Sequence, residues 1–148
     1  MNIYLSQHNF IRMIIAVDFD GTIVTHKYPL IGEEIPFAIQ TLKMLQKEGH
    51  KLILWTVREG ILLDEAVKFC NEKGLHFYAI NENEPNEDIT KVSRKLDADL
   101  FIDDRNFGGL PDWGIIYDTI KNGRTFCVNF EHQTHKSQNP KKKSFWPF

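Results

Sequence analysis

The chain has 148 residues, 42% of them hydrophobic and 26% charged, and a net charge of −2, which is one domain's worth of chain with side chains for a real core. No charge excess steers it to nucleic acid or to a membrane surface, and no apolar stretch approaches the roughly 20 residues that span a bilayer. Residues 1–12 lack a signal-peptide core, and Cys70 and Cys127 fall in apparent core segments, so two buried thiols in a reducing cytoplasm are expected rather than a disulfide framework.

Met13–Val17 is a short continuous apolar run that predicts a buried parallel strand. From Glu33 to Glu48 the apolar residues Ile35, Ala38, Ile39, Leu42 and Leu45 follow helical spacing, with Pro36 suited to a first turn and Gly49 to a C-terminal cap. Lys51–Val57 predicts a second strand. Ile61–Lys73 predicts a second helix, ended by Gly74, and Phe77–Ile80 a third strand. A polar loop, Asn81–Asn86, leads to a predicted short helix around Asp88–Leu96. Ala98–Ile102 reads as a fourth strand and Thr125–Val128 as a fifth. Alternation of this kind predicts an α/β fold, a three-layer α/β/α Rossmann-like parallel sheet with helices on both faces. A single domain is expected over 1–130. The polar, basic stretch 131–148, with the lysine run 141–143 and a closing Phe145-Trp146-Pro147-Phe148, is expected to be an extended tail.

Three predicted strands end in polar residues. The first runs into Asp18-Phe19-Asp20-Gly21-Thr22, the second into Thr56, and the fourth into Asp103-Asp104. Ligands of open α/β sheets bind at the carboxyl ends of the strands, so these residues are expected in one crevice. Gathered carboxylates repel one another and rise in pKa unless a cation is present. Asp18, Asp20, Asp103 and Asp104 therefore predict a hard divalent cation with oxygen ligands, and Mg2+ fits best because it completes its shell with water and substrate phosphate. Any one of these aspartates alone would read as a helix cap or turn residue, but caps have no reason to recur at the ends of buried strands.

Asp18-Phe19-Asp20-Gly21-Thr22 after an apolar strand resembles the first motif of the haloacid-dehalogenase-like hydrolases. Leu52-Ile-Leu-Trp-Thr56 resembles their second motif and Leu100-Phe-Ile-Asp103-Asp104 their fourth, in the same chain order. The resemblance covers about Met13 to Val128, and its finer detail is similar to a small capless bacterial phosphatase branch. It implies a Mg2+-dependent phosphatase in which Asp18 attacks phosphorus and forms an aspartyl-phosphate. Asp20 would be general acid and then general base, and its main-chain carbonyl would join Asp18 and Asp103 on the metal. Asp104 would stand in or just behind that shell. Thr56 would hydrogen-bond a phosphoryl oxygen. Gly21, Thr22, Val57 and Arg58 would line the substrate's place, Arg58 by gripping an anion. The resemblance also requires a lysine to neutralise nucleophile and phosphoryl group. The pattern Ser93-Arg94-Lys95 favours Lys95, whereas a helix descending from the site would put Lys91 nearer, and both remain candidates.

Asn81 and Asn83 are expected at the rim, and Gly108-Gly109 in a turn. The six histidines show no metal-ligand spacing, and His132 and His135 belong to the tail. Trp55, Phe69 and Phe77 read as core. The stretches Thr22–Thr56 and Thr56–Lys91 are too short for an inserted cap domain, so the site is expected to be open, covered at most by Thr25–Gly32. The expected substrate is a small-molecule or oligosaccharide phosphate ester, with no nucleic-acid or membrane partner and with homo-oligomerisation left open. Two competing readings are a receiver domain, whose order of aspartates, Thr/Ser and lysine differs, and a catalytically silent phosphate-binding module on the same scaffold.

Overall fold

Ile14–Val17 forms strand β1, a run of branched and small apolar residues whose last three are fully enclosed. It is the second-to-edge strand of a four-stranded sheet ordered β3-β2-β1-β4, in which β2 is Lys51–Leu54, β3 Ala79–Ile80 and β4 Leu100–Ile102. The computed structural model describes residues 11–123. Every pairing is parallel. Val17 stands beside both Leu54 and Ile102, and Leu54 beside Ile80. That register aligns the strand ends, so Asp18, Trp55, Asn81 and Asp103 leave the sheet in one row. The fold is therefore an α/β Rossmann-like fold, as the alternation of strand and helix patterns implies.

Among the described residues three helices accompany the sheet: α1 at Ala38–Lys47, α2 at Gly60–Glu72 and α3 at Trp113–Lys121. Their buried residues share one cluster with Ile15, Val17, Leu52 and Leu54, to which α1 contributes Ile39, Leu42 and Leu45, α2 Ala66 and Cys70, and α3 Trp113, Ile116 and Ile120. Each such aliphatic side chain, taken from water, contributes about 1.5–3 kcal/mol. The opposite face presents Ala16, Ile53 and Ala79, covered by Leu96, Trp55, Tyr78 and Ala98. Among the described residues that second covering is irregular chain and not helix.

Two helix expectations need correction. The first helix begins at Ala38 rather than Glu33. Val24 bridges Glu34 in antiparallel fashion, Ile35 donates to Ile23 O, and Phe37 takes a left-handed conformation with φ 68°. Residues 33–35 thus pair with the segment after β1, and Pro36 lies before the helix and not in its first turn. Its end is as expected, with Gly49 at φ 92°.

The second correction is that Asp88–Leu96 forms turns, not a helix. The Asp88 carboxylate accepts from the Thr90 amide and hydroxyl, and the Ser93 hydroxyl accepts from the Lys95 amide. These short side-chain bonds compete with helical ones. Ile89 and Val92 are also exposed, so no apolar stripe would hold a helix down. Conversely, α3 was not expected. Its signal was present in Asp112, whose side chain caps the Gly114 amide, and in the spacing of Trp113, Ile116 and Ile120. The predicted fifth strand, Cys127 and the tail lie outside the described residues.

Candidate functional site

At the end of β1 the chain turns sharply. Ile23 and Val24 both donate to Phe19 O, and Gly21 donates to Val24 O at 2.6 Å. Gly21 sits at φ 90°, where a side chain is strained. A Cβ there would also overlap the Asp104 carboxylate and His26 Nε2. The glycine is thus needed for space as well as for the turn. Next to it, the buried Thr22 hydroxyl donates to Asp18 Oδ2 at 3.1 Å and accepts the Asp104 amide at 3.1 Å. The Asp18 amide donates to Ile102 O. These bonds stitch the segments that follow β1 and β4 together across adjacent strands.

The result is a cluster. Asp18, Asp103 and Asp104 each offer a carboxylate oxygen, and those oxygens lie within 4.8 Å of one another. Burial pushes the Asp18 carboxyl up from 3.8 to about 6, with the charges of Asp103 and Asp104 adding to it, against the Phe19 amide and the Thr22 hydroxyl, which favour the ionised form. No lysine or arginine pairs with these three among the described residues. Asp104 Oδ1 is buried and has no hydrogen-bond partner, although such atoms are normally satisfied. An all-oxygen donor set, mutual repulsion and a buried unpartnered carboxylate oxygen together fit a hard cation such as Mg2+.

Asp20 is placed differently from its neighbours. Arg58 Nε donates to its Oδ2 and Nη2 to its Oδ1, each at 2.7 Å. The guanidinium also donates to Pro29 O and Leu30 O, and lies 5.2 Å from the Phe19 ring centre and 5.3 Å from that of Tyr28. Arg58 is wholly buried. The sequence suggested an arginine gripping a substrate anion, but this one faces inward and binds Asp20 and the 28–30 loop. Segment 25–32 is tied to Arg58 through Pro29 O and Leu30 O and held by paired bonds between Thr25 and Glu33.

Asn81, expected at the rim, instead braces Thr56. Its side chain accepts the Thr56 amide at 2.8 Å and donates to Thr56 O at 2.9 Å. The Thr56 hydroxyl accepts the Arg58 amide. Asn83 likewise binds Glu87 and the Asp97 amide rather than facing an opening. Val57 is exposed beside Thr56. A separate groove of about 420 Å³ along α1, flanked by Lys43, Lys47 and Lys73, shares no residue with the aspartates.

The solved structure of a conserved protein from Bacteroides thetaiotaomicron is 67% identical, with a TM-score of 0.74, and the match covers 78% of this chain and 94% of that one. The chain belongs to the family of that conserved Bacteroides protein. No family model matches the chain, and no curated protein matches it either.

Among the described residues, neither candidate lysine forms an ion pair with Asp18, Asp103 or Asp104. Lys91 pairs with Asp88 at 2.8 Å and Lys95 is exposed. The argument that a descending helix brings Lys91 near the site falls with the helix itself. One residue at the cluster escaped the sequence reading. His26 Nε2 lies 2.8 Å from Asp104 Oδ2. It has no ligand-type spacing to other residues, so only the fold reveals it.

Proposed function

We propose that the protein is a Mg2+-dependent phosphatase of the haloacid-dehalogenase-like type, hydrolysing a phosphate monoester through an aspartyl-phosphate on Asp18. The observation that carries this reading is the meeting of Asp18, Asp103 and Asp104 at the carboxyl ends of two neighbouring parallel strands. Asp18, Asp103 and Asp104, with the Asp20 main-chain carbonyl, would hold the ion, and the chemistry it supplies is neutralisation of the nucleophile and of a phosphate oxygen. Asp18 attacks phosphorus as the ester oxygen leaves. To serve as general acid, Asp20 first releases one of its two Arg58 bonds and takes up a proton from water; it gives that proton to the leaving oxygen and then takes one from the water that opens the aspartyl-phosphate. Thr56 and the backbone at Val57 position the phosphoryl oxygens, and a lysine, Lys95 or Lys91, joins them by rearrangement of the 88–96 turns.

A second reading is a phosphate-binding module that does not turn over. It is favoured by the two hydrogen bonds from Arg58 to Asp20 and by the lack, among the described residues, of an ion pair between either lysine and Asp18. The experiment that separates them is a screen of purified protein with Mg2+ against sugar phosphates, nucleotides and aryl phosphates. Hydrolysis that disappears in chelator and in Asp18→Asn supports the phosphatase. Binding of phosphate without turnover of any ester supports the silent module, and turnover that persists in Asp18→Asn removes the covalent mechanism.

A further inference from the structure

We infer that His26 is a positioning residue for the cation site, orienting Asp104 so that one carboxylate oxygen is committed to the imidazole and the other is left for the metal. The inference rests on the cation site proposed above. A carboxylate can only accept, so the 2.8 Å contact makes His26 Nε2 the donor and Asp104 Oδ2 the acceptor. The other oxygen, Oδ1, is the buried atom with no partner. The Asp104 amide is fixed independently by the Thr22 hydroxyl, which also holds Asp18. Main chain and side chain of Asp104 are thus pinned from two directions, with one oxygen left unpartnered in a carboxylate that comes within 4.8 Å of those of Asp18 and Asp103. Ligating carboxylates commonly rely on such outer hydrogen bonds, whose loss costs about 10–100-fold in metal affinity.

Two further features fit this role. The absence of a side chain at Gly21 opens the space in which His26 and Asp104 meet. The loop bearing His26 is anchored on both sides of it without its help, through Thr25 with Glu33 and through Arg58 with Pro29 and Leu30. The histidine is not needed to hold the loop. Its side chain is half exposed, and an exposed polar contact of this kind contributes little to stability. A merely structural role would therefore leave almost nothing to measure in cation affinity.

The test is calorimetric titration of the full chain with Mg2+ alone, comparing wild type, His26→Ala and His26→Gln, with circular dichroism to establish folding. The glutamine amide reaches about as far as Nε2 and keeps an N–H donor. The expected result is about 10–100-fold weaker Mg2+ binding for His26→Ala, with most of the affinity restored in His26→Gln. Equal affinity in wild type and His26→Ala overturns the inference, as does an equal loss in both variants. If wild type binds no divalent cation, the proposed metal site fails and this inference fails with it. That outcome is distinct from a wild type that binds while His26→Ala binds equally well. Should His26→Ala not fold, His26→Leu takes its place in the same comparison.

Discussion

Arg58 carries three loads at once: the Asp20 carboxylate, the carbonyls of the 28–30 loop, and the faces of two aromatic rings. A charge without solvent contact is tolerated only when it is well paired, and here four of the five guanidinium N–H donors have partners. Truncating one side of such a pair leaves the other charge stranded. Arg58→Ala is accordingly expected to lose about 3–5 kcal/mol of stability in urea unfolding. Combining it with Asp20→Asn should recover part of that loss, because the amide no longer needs a counter-ion. Additive losses from the two changes would show that the pair is not what Arg58 supplies.

At the scale of elements, the site depends on how strand ends are braced. β2 and β3 pair over only two positions, Ile53 with Ala79 and Leu54 with Ile80. The Asn81 side chain prolongs that pairing by imitating one more strand residue, with its amide bonded both ways to Thr56. It does so from a left-handed backbone at φ 55°, which asparagine tolerates better than most residues. Asn81→Gly keeps the backbone freedom and removes only the amide. We expect it to cost about 1–3 kcal/mol in thermal or chemical unfolding. Turnover of whichever ester the screen identifies should fall more than stability does, since Thr56 is no longer held. An unchanged unfolding midpoint would mean that the strand ends hold Thr56 without Asn81. α3 performs a similar service for the turn after β1, because the Trp113 indole donates to Thr22 O.

For the molecule as a whole, the aspartate cluster sets a conflict between stability and function. In metal-free protein the Asp18 carboxyl keeps its proton up to about pH 6, whereas an unfolded chain releases it near 3.8. Between these values unfolding releases a proton, so stability is fully present below 3.8 and is lost as the pH rises through 6. A rise from 3.8 to about 6 would be worth about 3 kcal/mol for a fully enclosed carboxyl, and partial solvation screens it to about 1 kcal/mol. Asp18→Asn removes the titration. Its melting temperature in chelator should therefore exceed that of wild type increasingly as the pH passes from 3.8 to above 6. Excess Mg2+ should raise the wild-type value and close the gap at the upper end. A pH-independent difference between the two proteins would show that Asp18 is not strained by its neighbours.

The alternation of apolar strands with amphipathic helices was enough, without tertiary information, to determine a parallel α/β sheet and to put Asp18 and Asp103 at strand ends. Both signals are local: a buried parallel strand must be apolar throughout, and a polar residue that ends it must lie at the sheet's edge. Most of α1 and α2, with Gly49 and Gly74 closing them, were legible for the same reason. The start of α1 was not, because residues 33–35 are drawn away by pairing with the segment after β1. The turns at 88–96 were not, because an apolar spacing suggests a helix only if a surface exists to bury it, and here Ile89 and Val92 find none. The partners within the site were also beyond the sequence. That Arg58 turns inward to Asp20, that Asn81 holds Thr56, and that His26 reaches Asp104 depend on contacts between residues 25 to 78 positions apart. Such contacts leave no periodic trace in the chain, and only the register of the sheet and the packing of its loops decide them.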